Sequence, residues 1–396
     1  MRQSRRHFLT GLCGCGVLCG SGGLAWAGGG SLPSLLAPAY RPSDSDERGL
    51  WMQMEKAEQD LRNSNLRIHD PALNKYLTDL TCEIVGNYCP DVRVYVVRTP
   101  YFNASMAPNG MMQIWSGLLL RCRNEAQLAA VIGHEAGHFL RQHGLQQFRS
   151  IKSKTALMNV LALPLAVVGG SAAVQLGQLA MIATMFSYSR EHEREADQFG
   201  LQLLEERGYQ PSEASAIWRQ LVAERDASFA ARGKKTPSEP LIFATHPQSA
   251  ERMETLAAAA AGITKPGRQY SAGPDRFAAV MKPHRGAFLE DQVKLNDFGG
   301  TLYLIDSLKD DGWPGELGYY RGEVYRRRGD PGDLQQAISH YRTALAFPDA
   351  PAVTHRSLGY ALIKTGDKEA GRQALRQYLA LTPDATDRAM VEFSLQ

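Results

Sequence analysis

Residues 131–140 read VIGHEAGHFL, with His134 and His138 four apart and Glu135 directly after the first. On an α-helix, positions i and i+4 share one face a turn apart. Both imidazoles can therefore reach one ion, and zinc accepts nitrogen, sulfur and oxygen donors in a tetrahedral arrangement. Glu135 sits about a hundred degrees further round the helix. A carboxylate there can take a proton from water at the metal's open position, the chemistry of H-E-x-x-H metalloproteases. With ten histidines in the chain, chance produces this pattern in roughly one such sequence in a hundred. The bland alternative is a helix with solvated histidines. A second stretch, YSREHEREADQFG at 188–200, repeats the four-residue spacing with Glu193 and Asp197. Alone, it reads as a solvated charged helix face.

The elements that must position these residues follow from periodicity. Asn124 is a suitable N-cap for the histidine helix, and Leu128, Val131, Ile132 and Ala136 form its apolar face. Residues 44–89 carry a helical apolar rhythm, and VRVYVVRT (92–99) alternates as a strand does. YFNASMAPNG reads as a turn-rich loop, and MMQIWSGLLL (111–120) as a second strand at the sheet edge. An extended substrate would then pair with an edge near Asn103 to Trp115. Helices are expected from about Arg190, Pro211 and Pro247, with a loop at ARGKKTPSEP (231–240).

The +3 net charge gives no argument for nucleic acid as a partner. Ser4-Arg5-Arg6-His7-Phe8-Leu9, a weakly apolar run and Ala25-Trp26-Ala27 read as a cleaved export signal over 1–27, of twin-arginine type or the general secretory type. An oxidising destination permits a Cys82–Cys89 bridge, the alternative being three buried thiols with Cys122. The uncharged stretch 155–189 is interrupted by Pro164, Gly169 and Gly170. One crossing of a bilayer would separate His138 from Glu193, and two need about 40 residues plus a turn. The stretch is therefore expected to cover the site or to touch lipid peripherally. Residues 263–290, rich in Gly, Pro and charge, read as a linker. Beyond it, Leu345 and Leu379, like Ala346 and Ala380, stand at the 34-residue tetratricopeptide period. Generic helical hairpins are the alternative, and an earlier unit around 287–312 fits either.

The paired motifs resemble one zinc-peptidase family, that of HtpX, the prenyl-protein protease and BepA. The E-x-x-A-D run of Glu193 to Asp197 carries that resemblance, together with FNASMAPNGMMQIWSGLL, HEAGHFLRQHG and FATHPQSAERM. It implies an α+β fold, a mainly helical gluzincin protease domain with a small sheet over 44–262, followed by an all-α tetratricopeptide domain over 291–396. It implies one zinc held by His134, His138 and Glu193, with Glu135 as the catalytic carboxylate. Asp197 would orient a histidine ligand. His246 is either a switch that occupies the open zinc position or a structural histidine before a helix, and His143 is expected to be structural. Tyr188, Arg190 and His192 are candidates for stabilising the oxyanion. The implied activity is periplasmic, zinc-dependent hydrolysis of misfolded or stalled envelope proteins. Protein or peptide substrates, and outer-membrane assembly machinery docked on the repeats, are the implied partners. The alternative is a chaperone or scaffold with a structural zinc.

Overall fold

Asp44 starts the first helix, α1 (Ser45–Arg62), by accepting hydrogen bonds from the backbone N–H groups of Asp46 and Glu47. Asp70 does the same for Leu73 in α2 (Pro71–Val85), with Pro71 at the first position. The computed structural model describes residues 34–152, 188–233, 246, 250–309 and 312–396. All lie in the unit Leu32–Gln396. The expected signal 1–27, nearly all of 155–189 and most of ARGKKTPSEP lie outside the described residues. Among the described residues no helix is long and apolar enough to cross a membrane.

A disulfide joins Cys82 to Cys89, and Cys122 is a buried free thiol. The bridge spans the turn between α2 and β1 (Arg93–Val97). β2 (Ala104–Met106) and β3 (Met111–Trp115) complete a three-stranded sheet in the order β1-β3-β2. β1 runs parallel to β3 and β2 antiparallel to it. The segment expected at the edge is thus central. All five β3 residues are buried, the polar Gln113 among them, and a strand covered on both faces lacks the apolar-polar alternation of a half-exposed one. Its second half, Ser116–Arg121, is a helix, α3. The edge strands are β1 and β2, and β2 lies inside the segment read as a loop. Met112, Ile114, Ala104 and Met106 face the main core. Met111, Trp115 and Tyr95 face a second core with Leu50, Met54 and Tyr188.

The histidine helix, α4 (Glu125–Leu140), is capped by Asn124 and buried along its whole length. Gln142 then takes a left-handed conformation, φ 57°, uncommon for a residue with a side chain. It turns the chain into α5 (His143–Lys152). Ser189 caps α6 (Arg190–Arg207). The backbones of α4 and α6 nearly touch. A Cβ on Gly200 would lie 3.0 Å from the His134 backbone nitrogen, and one on Gly137 would lie 3.0 Å from Ala196 Cα. This close crossing brings the two motifs side by side. α7 (Glu213–Arg232) and α8 (Ala250–Ile263) follow.

The segment read as a linker contains α9 (Pro274–Met281) and the start of α10 (Arg285–Lys294). Phe277, Met281, Phe288 and Leu289 are buried in the main core. Its Gly273 and Pro274 open a helix instead of marking a break. α11 (Phe298–Ser307) packs on α7 so closely that a Cβ on Gly299 would lie 2.4 Å from the Ala227 carbonyl. Two helix pairs follow, α12 (Pro314–Arg328) with α13 (Asp333–Ala344), and α14 (Val353–Lys364) with α15 (Lys368–Leu381). Gly322 meets the Tyr341 ring and Gly359 meets Leu375, so small residues let each pair close. α16 (Arg388–Phe393) ends the chain's helices among the described residues.

Candidate metal centre

His134 and His138, one turn apart on α4, bring their Nε2 atoms within 3.1 Å of each other. Glu193 of α6 reaches both: its Oε1 is 3.4 Å from His138 Nε2 and its Oε2 is 3.6 Å from His134 Nε2. His246, which precedes α8, adds a fourth donor. Its Nδ1 is 3.0 Å from Glu193 Oε1 and 3.3 Å from His134 Nε2. One ligand atom from each of these four buried residues falls within 4.8 Å of every other. Glu135, also buried, has Oε1 3.6 Å from His246 Nε2. The backbone N–H of Met106, on edge strand β2, bonds its carboxylate.

Hydrogen bonds orient the rings. Asp197 Oδ1 is 3.0 Å from His134 Nδ1. A carboxylate only accepts, so Nδ1 carries the proton and the lone pair of Nε2 faces the cluster. His138 Nδ1 lies 2.9 Å from His143 Nδ1, and Tyr188 stacks on the His138 ring at 3.7 Å and 12°. Ring nitrogens and a carboxylate that converge so closely present lone pairs to one another, and a cation resolves that crowding. Two imidazoles, one carboxylate and a further nitrogen form a donor set that zinc accepts.

The electrostatics agree. Burial raises the Glu135 pKa above the usual carboxylate range, against the opposing pull of His246 and His134. Burial also opposes charge on Glu193, but His246 and Arg252 outweigh it and hold its pKa well below the usual range. Burial pushes His138 well below the ordinary histidine value. For His246 burial also lowers the pKa, but Glu193 and Glu135 outweigh it and raise it. Burial, and then His192, push His143 down to about 4.

Arg252, on α8, is the residue that sequence reasoning missed. Its Nε and Nη2 bond the two Asp197 oxygens at 2.7 and 2.8 Å, and Nη1 lies 2.5 Å from Glu193 Oε2. The available signal was physical: two buried carboxylates a turn apart need a buried cation. It lies six residues after His246, so one segment reaches the site twice. Of the three oxyanion candidates, Tyr188 touches the site and His192 stacks on His143. Arg190 is exposed. His143 is buried against the back of His138.

Residues 70–260 match the model of peptidase family M48. The chain is 28% identical over 204 residues to the beta-barrel assembly-enhancing protease of Escherichia coli K12, 49% of this chain and 40% of that protein. It is 29% identical over 165 residues to mitochondrial metalloendopeptidase OMA1 of Schizosaccharomyces pombe, 41% and 45% of the two chains. Metalloprotease YcaL of Escherichia coli K12 is 30% identical over 165 residues, 42% and 61%. The chain thus spans about half the length of the curated relatives it matches.

Proposed function

We propose that this chain, whose residues 70–260 match the model of peptidase family M48, is a zinc-dependent endopeptidase of that family. The observation that carries this reading is the convergence of His134, His138 and Glu193 with Glu135 beside them. His134, His138 and Glu193 hold the metal. When bound, the zinc polarises the scissile carbonyl and lowers the pKa of a coordinated water to about 7. Glu135 receives the proton of the attacking water and returns it to the leaving amine. Asp197 keeps the proton of His134 on Nδ1. The edge strand β2, tied to Glu135 through Met106, offers its free side to an extended peptide. Main-chain pairing of that kind tolerates many sequences.

We read the domain plan as an export signal over 1–27, a protease domain over 44–262 and tetratricopeptide-like repeats over 291–396 that dock a partner or substrate. The name of the Escherichia coli relative, beta-barrel assembly-enhancing protease, supports a role in β-barrel assembly, and the export signal read over 1–27 places that work in the periplasm in this reading. Misfolded or stalled envelope proteins are the substrates this predicts. His246 completes a set of four protein donors, so we read this conformation as closed and His246 as the group that leaves to admit substrate. That fourth donor also favours a second reading, a chaperone or scaffold with a structural zinc, because structural sites are closed.

One casein-digestion assay separates the readings. Glu135→Gln is expected to lose cleavage by at least about a thousandfold while keeping its zinc. His246→Ala is expected to cut faster than wild type. Equal cleavage by Glu135→Gln and wild type rejects the peptidase. A slower His246→Ala rejects the closed conformation alone.

A further inference from the structure

The two histidines of α4 are held from behind by different chemistry. His134 Nδ1 meets a carboxylate, Asp197. His138 Nδ1 meets another imidazole nitrogen, Nδ1 of His143, at 2.9 Å. Behind it, His143 Nε2 lies 3.3 Å from Glu195 Oε2, which also accepts from Arg141 Nε at 2.9 Å. We propose that His143, relayed to Glu195, is a positioning residue that fixes the proton of His138 on Nδ1 and so aims its Nε2 lone pair at the metal. This rests on the zinc reading above.

Each proton in the chain is forced by the next group. A metal at His138 Nε2 needs the lone pair there, which puts the His138 proton on Nδ1. That N–H must find an acceptor, because the side chain is fully buried. His143 Nδ1 is the atom in line, and it can accept only if its own proton sits on Nε2. Glu195, an acceptor, faces that Nε2–H. The reversed order fails at both ends. A proton on His143 Nδ1 would leave His143 Nε2 as a bare lone pair facing a carboxylate. It would also leave His138 with its proton on the nitrogen facing Glu193, where the metal belongs.

The fold holds this relay in register. The left-handed turn at Gln142 ends α4 and brings His143 back beneath His138, five residues on. Ring stacking fixes both planes: Tyr188 on His138 at 3.7 Å, and His192 on His143 at 4.4 Å and 14°. Glu195 and Asp197 stand two apart on α6, so one helix supports both imidazoles, one directly and the other through His143. Removing such support costs about ten- to a hundredfold in metal affinity in other sites.

The test is a zinc titration of the full chain against a chromogenic chelator, with thermal unfolding of each metal-stripped variant alongside. His143→Leu fills similar volume but accepts nothing, and its zinc Kd should rise by about ten- to a hundredfold. His143→Asn keeps an acceptor near the position of Nδ1, and its Kd should stay within about fivefold of wild type. In the cobalt-substituted wild type, the His138 imidazole N–H should give a shifted proton resonance that exchanges slowly with water, and His143→Leu should lose it. Should His143→Leu not fold, Glu195→Leu replaces a partly exposed residue and should raise the Kd about threefold or more, with Glu195→Gln near wild type. Tight zinc binding by wild type and by the leucine variants alike overturns the relay. So does an equal loss in His143→Asn and His143→Leu, which would assign only volume to the ring. A wild type that takes up no zinc overturns the zinc reading itself.

Discussion

Glu58 and Glu193 are both buried carboxylates on helices, both touched by arginine, and their surroundings separate a structural cluster from a chemical one. Glu58 faces donors only. Arg93 bonds both of its oxygens at 2.7 Å, and Arg62, the Tyr95 hydroxyl and Asn109 donate at 2.9, 2.7 and 3.0 Å. Burial opposes its charge, but Arg93 and Tyr95 outweigh that and hold its pKa at about 2. Every lone pair has a hydrogen, and the cluster calls for nothing more. Among the described residues, Arg252 is the guanidinium that reaches Glu193, and beside it stand imidazole nitrogens that also face one another at 3.1 and 3.3 Å. Those nitrogens are acceptors or donors according to where single protons sit. Burial with saturated partners stabilises a fold, whereas burial with facing lone pairs prepares a place for a cation.

Three variants probe this contrast. The largest effect is expected at Arg252, whose removal leaves Glu193 and Asp197 buried without their cation. Arg252→Met should cost about 3–5 kcal/mol of unfolding free energy in zinc-stripped protein. Saturating zinc should recover part of that loss, since the ion brings positive charge to the same carboxylates. Denaturant unfolding with and without zinc measures it, and a cost that zinc leaves untouched would make Arg252 a purely structural group like Arg93.

Glu58→Gln should cost about 3 kcal/mol at pH 7, from a pKa depressed from 4.5 to about 2. The folded pKa lies below the unfolded one, so the contribution is complete above pH 4.5 and declines as the pH falls through about 2. Unfolding free energies of wild type and variant should therefore converge towards pH 2. Zinc should not change the difference, and a zinc-sensitive gap would erase the distinction between the clusters. Asn109→Ala removes one of several donors to Glu58 and should cost about 1–2 kcal/mol. Because Arg93 still bonds both oxygens, a cost as large as that of Glu58→Gln would show the cluster to be less saturated than its geometry indicates.

Much of the candidate site could be read from local spacing. His134 with His138, and Glu193 with Asp197, stand at i and i+4, so each pair shares a helix face whatever surrounds it. The caps at Asn124 and Ser189 are equally local, and both helices start where those residues stand. The sheet was harder, because β3 is buried on both faces and loses the alternation that distinguishes a centre from an edge. The segment 263–290 misled through composition: glycine and proline open helices as readily as they end them, and only the packing of Phe277 and Phe288 shows which applies. His143 and Arg252 carried no spacing signal tied to the ligands.

What the sequence by itself determined is the kind of donor on each helix, since helical periodicity is a property of neighbouring residues. What only the tertiary structure decided is that the donors meet. Gly137 and Gly200 let α4 and α6 cross almost backbone to backbone, and a left-handed turn at Gln142 swings His143 under His138. Arg252 arrives from a helix, α8, that starts at Ala250, whereas α6 ends at Arg207. Distances across a crossing depend on which side chains are absent from it, and that is settled by the packing of the whole core.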